Sequence, residues 1–101
     1  MMTYSVLVTG GETCPLVMKK EHSSLVTACL KARDAMRDRG SDEAMILERQ
    51  ATGDGVVTTY VVREDEGAFI LYRLGPGDQP SWQIEDEGLR AIPAVSLEED
   101  L

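Results

Sequence analysis

Three side chains in this chain have the chemistry for nucleophilic or metal work: Cys14, His22 and Cys29. A thiol beside an imidazole, with one of the many carboxylates behind it, would make a thiol triad. Nothing in the sequence pairs these residues beyond their types. They also fall short of a zinc site, which wants four ligands, commonly with paired Cys-x-x-Cys or His-x-x-x-His spacing. Cys29 lies on the apolar stripe of a helix and reads as a small buried thiol. Cys14 precedes Pro15 in a loop-like stretch and is expected to be the more exposed. Two cysteines make no disulfide framework, in keeping with a reducing compartment. Gly53-Asp54-Gly55 and Gly75-Pro76-Gly77 punctuate strands. Neither stands between a strand and a helix, where a phosphate would be cradled. No catalysis, cofactor or metal is therefore expected.

The remaining chemistry is charge. Residues 1–40 hold six Lys/Arg (Lys19, Lys20, Lys31, Arg33, Arg37, Arg39) against four acids, a net of +2. Residues 41–101 hold four Arg against fourteen acids, a net of −10, and the whole chain carries −8. Such a field opposes nucleic acid and anionic membrane and attracts basic protein surfaces. The acids come in three runs: Glu64-Asp65-Glu66, Glu85-Asp86-Glu87 and Glu98-Glu99-Asp100. Charged runs of this kind also keep sheet edges from pairing. As a binding surface they would steer and orient a cationic partner. Trp82, with Tyr60 and Tyr72, supplies candidate aromatic anchors beside them.

The elements that position these groups follow from the pattern. At 101 residues and 43% hydrophobic content, the chain suits one domain spanning 1–101 and is too apolar for a disordered acidic tail. Thr3–Thr9 alternates, with Tyr4, Val6 and Val8 on one face. Leu16–Lys19 is a possible second strand. Ser24–Arg39 is a helix: Leu25, Cys29, Ala32 and Met36 recur at helical period, with Ala28 and Ala35 beside them. Ser23 or Ser24 caps its start, and Gly40 suits its end. Lys31, Arg33, Asp34, Arg37 and Asp38 form its outward, solvated face.

Ala44–Gln50 reads as a strand or, less readily, a helix; Val56–Arg63, Ala68–Leu74 and Ser81–Glu85 read as strands, with turns at Asp54-Gly55 and Glu64–Gly67 and a loop at Gly75–Pro80. The expected fold is α+β: an antiparallel sheet of about five strands with one helix on one face, in the order β(β)αββββ. In a meander, alternate turns fall on the same sheet end, so two acid runs can meet. From about residue 86 to 101 an irregular acidic segment is expected, since Pro93 breaks any helix there.

In size, acidity and sheet-plus-helix build the chain resembles the small anti-CRISPR proteins of phages and mobile elements, a class without a common motif. The resemblance implies a non-enzymatic inhibitor that imitates nucleic-acid charge on a CRISPR effector complex. The partner would be a protein or ribonucleoprotein with a basic surface, met by Glu64, Asp65, Glu66, Glu85, Asp86, Glu87 and Trp82. An immunity protein or antitoxin for a basic toxin is the alternative on the same physics. A small thiol-dependent enzyme or ligand-binding domain is a third. No apolar run approaches the roughly 20 residues that span a bilayer, and no secretory pattern opens the chain. A cytoplasmic protein is expected, with direct nucleic-acid or membrane binding disfavoured and a homodimer possible.

Overall fold

The computed structural model describes residues 1–10, 15–53 and 55–92. The N-terminal alternation becomes β1 (Met2–Thr9), which buries Val6 and Val8 completely and turns Ser5 and Leu7 the other way. β2 (Leu16–Val17) returns along it, shorter than the Leu16–Lys19 expected, pairing Val17 with Leu7. A backbone bridge between Tyr4 and His22, with N···O distances of 2.8 and 2.9 Å, carries the chain along β1 to the helix.

α1 (Leu25–Arg39) starts where the Ser24 hydroxyl accepts from the Thr27 N–H at 3.4 Å. It ends at Gly40, whose φ of 66° is the left-handed value that glycine tolerates without a Cβ penalty. Ser41 N–H donates to the Met36 carbonyl and Gly40 N–H to the Arg37 carbonyl, the paired bonds of a Schellman cap. Ala28, Cys29, Ala32 and Met36 are wholly buried against the sheet. Small residues along the stripe let the helix lie close. Arg33, expected in solvent, is instead 9% exposed. The start of the β6–β7 connection reaches the side of the helix that carries Arg33, whose Nη1 donates to the Glu85 carbonyl.

After α1 the chain forms an antiparallel meander: β3 (Glu43–Gln50), β4 (Val56–Asp65), β5 (Ala68–Arg73), β6 (Ser81–Ile84) and β7 (Leu89–Ala91). The sheet order is β2-β1-β3-β4-β5-β6-β7, so α1 crosses one face and sets β3 on the free side of β1. The α+β class and, among the described residues, the single helix agree with the sequence reading. Among the described residues the sheet has seven strands rather than about five. The added strand, β7, falls in the stretch expected to be irregular. Leu89, Arg90 and Ala91 have little intrinsic strand preference. Pairing recruits them: Leu89 stands opposite Ile84 and packs against the core, and Glu85 N–H donates to the Gly88 carbonyl at 2.8 Å. The Asp54 turn position and residues 93–101, including Pro93 and the Glu98-Glu99-Asp100 run, lie outside the described residues.

The helix covers one face only. On the other, the register lines up Val17, Leu7, Met45, Val61 and Tyr72 in one rung across β2, β1, β3, β4 and β5.

Candidate functional site: an acidic end of the sheet

Antiparallel order puts the β4–β5 and β6–β7 turns at the same end of the sheet, where α1 also ends. The first turn has two central residues, Glu66 at φ 51° and Gly67 at φ 87°. Positive φ at both positions is the geometry that matches strand twist in a two-residue hairpin. Glu64 closes it from within, its Oε1 accepting the Gly67 N–H at 3.1 Å. The second turn presents Glu85, Asp86 and Glu87 two strands away. The α1–β3 connection adds Asp42, whose carbonyl accepts the Glu64 N–H at 3.0 Å. Glu64, Asp65, Glu66, Glu85, Asp86 and Glu87 are thus brought to one end, as the meander predicts.

The helix terminus fits between the turns. The Arg37 guanidinium lies over the Phe69 ring, 5.1 Å from its centroid, a cation–π contact worth about 0.5–1 kcal/mol where solvent reaches it. A shallow cleft opens on each side of this stack. One, of about 300 Å³, is bordered by Asp42, Glu64 and the Gly40-Ser41 cap. The other, of about 270 Å³, is bordered by Gly67, Gln83, Glu85 and Asp86. Arg33 ties the helix to the second turn, donating from Nη1 to the Glu85 carbonyl at 2.8 Å while Nε and Nη2 hold Asp34 Oδ1 at 3.2 and 3.1 Å.

Cations neutralise only part of this end. Arg63 pairs with Glu43 at 3.2 Å and Arg90 with Glu85 at 3.4 Å, both exposed. Asp42, Glu64, Asp65, Glu66, Asp86 and Glu87 make no ion pair with a described residue. The helix carbonyl terminus adds its negative pole here.

Trp82 lies elsewhere. The register places it with Leu71 and Ala91 on the helix side of the sheet, half-buried against the core, its ring 6.4 Å from that of Tyr60. Tyr60 is core, and Tyr72 is 38% exposed on the face away from the helix. None of the three aromatics borders the acidic clefts. The aromatic group that does is Phe69, with Arg37 on it. The sequence showed both residue types, but no spacing rule couples a helix end to a strand start across a sheet.

The thiol and imidazole stand apart from this end. Cys29 is fully buried, and loss of solvation pushes its thiol up to about 12. A thiol held in that form is a poor nucleophile at neutral pH. Cys14 lies outside the described residues. His22 is buried, and its Nε2 has no hydrogen-bond partner among the described residues. Loss of solvation, then the charges of Lys20 and Lys31, lower its pKa. Among the described residues no three His, Cys, Asp or Glu side chains gather as a metal site would require, and no helix is long and apolar enough to cross a membrane. No protein-family model, curated protein or solved structure matches the chain.

Proposed function

We propose that this protein is a non-enzymatic binding module that docks its acidic sheet end onto a basic surface of a partner protein or ribonucleoprotein. The observation that carries the reading is that two acid-rich turns share one end of the sheet, with most of their carboxylates making no ion pair among the described residues. Charges that serve solubility alone gain nothing from convergence, since like charges repel. Convergence becomes favourable when a cationic surface covers them, and the focused field speeds encounter. The Arg37–Phe69 stack between the clefts offers a flat contact and one fixed cation to set register. In its most specific form the reading is inhibition of a nucleic-acid-binding complex by occupying its phosphate-contacting surface, in the manner of the anti-CRISPR inhibitors.

The test compares the native chain with a variant carrying Glu64→Gln, Asp65→Asn, Glu85→Gln and Asp86→Asn as bait in host lysate, each at low and high salt. The expected result is a basic protein or ribonucleoprotein held by the native chain at low salt, and lost both at high salt and with the variant. Retention that ignores salt and the four substitutions alike would refute docking by the acidic end.

A further inference from the structure

We infer that the face of the sheet opposite α1 is a self-association surface, on which a second copy of this chain packs antiparallel to the first. The apolar patch lies apart from the two clefts proposed for the partner, which sit beside α1 on the other side of the sheet, and the two surfaces share Asp65 at the rim.

The Val17–Leu7–Met45–Val61–Tyr72 rung crosses five consecutive strands without a polar residue. Leu47 and Ile70 stand on the flanking rungs of the same face. In a two-layer α+β protein this face is ordinarily polar, because water covers it. Here the ends of the rung are open, Val17 67% exposed and Tyr72 38%, with Leu7 and Met45 half-buried and Val61 7% exposed between them. Leu74, at 50%, continues the patch beyond the end of β5. The loop after β5 stands as a wall at one side, making a cleft of about 630 Å³ with Met45, Thr59 and Leu74 in its lining.

Area and charge together favour a second copy as the occupant. Five strands at about 4.8 Å spacing and three rungs about 7 Å apart, the flanking two also carrying Ser5, Thr59, Thr9, Glu43 and Arg63, outline roughly 500 Å² per copy, or about 1,000 Å² for a pair. That is the lower bound for a specific interface. Two copies packed by this face about a two-fold axis would each present the same patch to the other, as an isologous contact requires.

The rim is polarised along the strands. Lys19 and Arg49, with Glu21 beside them, border the patch at the Met2 end of β1 and leave it one net positive charge, while Glu43, Asp65 and Arg63 at the Thr9 end leave one net negative. Glu43 already holds Arg63, which leaves Asp65 the freer acid. A two-fold axis in the sheet plane, perpendicular to the strands, lays each cationic rim over the partner's anionic rim. A parallel arrangement would set like over like. In the antiparallel pair the two acidic ends point to opposite poles.

The test is sedimentation equilibrium of the full chain from micromolar concentration to about 0.5 mM, beside the variants Val17→Lys/Tyr72→Lys, Arg49→Glu and Val95→Lys/Leu97→Lys. The expected result is a concentration-dependent species of twice 11.1 kDa. Val17→Lys/Tyr72→Lys should weaken it about tenfold or more, with the circular dichroism spectrum unchanged because both sites are solvent-exposed. Arg49→Glu should weaken it less, and only at low salt. A monomer at every concentration overturns the proposal. So does a dimer indifferent to Val17→Lys/Tyr72→Lys, which would pair through a sheet edge. A dimer abolished only by Val95→Lys/Leu97→Lys would assign the contact to the C-terminal segment instead, and overturns it as well.

Discussion

His22 shows how a residue chosen for its chemistry can turn out to serve the fold. Its backbone closes the bridge to Tyr4, and its ring is buried with no partner for Nε2 among the described residues. Burial favours the neutral imidazole, so the folded-state pKa lies below the ordinary 6.5. The sign follows from proton counts. Between the lowered pKa and 6.5 the unfolded chain binds more protons than the folded one, so stability falls as pH falls through that window. Above 6.5 the contribution is complete. Thermal unfolding of the native chain at about pH 7.5 and about pH 5.5 should therefore show a lower Tm at the acid value. His22→Phe keeps the ring bulk and removes the proton site, and should flatten that difference. An equal fall in both chains would assign the acid sensitivity to the carboxylates. Tyr4, beside it, behaves in the opposite direction. Its burial and its 2.8 Å bond to Glu48 push the phenol to about 12, so its contribution is lost only as pH rises from about 10.

At the scale of elements, the β4–β5 turn sets a local preference against a placement. Glu66 occupies a left-handed conformation that costs a residue with a Cβ about 1 kcal/mol. Asn tolerates that conformation and is favoured in such turns. Glu66→Asn should raise the Tm by about 4–8 °C per kcal/mol gained, while Glu66→Gln, which loses the same charge and keeps the strain, should gain less. If Gln matches Asn, relief of charge repulsion and not the backbone explains the effect.

The neighbouring elements show what the sequence could reveal. Alternation in Tyr4, Val6 and Val8, the Leu25–Met36 stripe, the serine cap and Gly40 each specify structure within a few residues, and all were legible. That two acid runs could share a sheet end was legible from the meander, but that the 64–66 and 85–87 turns do so depends on the strand order, which the sequence leaves open. Arg33 was misread because its burial comes from strands some fifty residues later, which its own helical period does not contain. β7 was missed because Leu89-Arg90-Ala91 becomes a strand through pairing with β6. Trp82 was grouped with the acids through its nearness in sequence to Glu85, yet the pleat and the strand length carry it to the Tyr60 side.

On the scale of the whole molecule, α1 runs from the Lys19–Lys20 region toward the acidic turns, so its own dipole adds to the charge asymmetry. β4 has ten residues and spans about 33 Å at about 3.3 Å per residue. That is several times the screening length of about 8–10 Å at ordinary salt. The cations of the far end therefore do little for the acids, which answer to one another and to the cations set among them, Arg33, Arg37, Arg63 and Arg90. Two unit charges about 7 Å apart in water repel by about 0.6 kcal/mol, and several such pairs at one end lower the stability of the free protein. Salt should then act with opposite signs on two properties governed by the same side chains. Screening relieves repulsion within the folded chain, so the Tm should rise by several degrees between low salt and about 0.3 M. Screening also weakens attraction to a basic partner, so affinity should fall over the same range. The Glu64→Gln/Asp65→Asn/Glu85→Gln/Asp86→Asn variant should start with the higher Tm, gain little from salt and lose binding. Those changes together describe a site held at a cost to stability. A native Tm that falls with salt, or a variant with an unchanged salt response, would mean that the turns converge in the fold without coupling electrostatically. The acidic end would then have no energetic reason to seek a cationic surface.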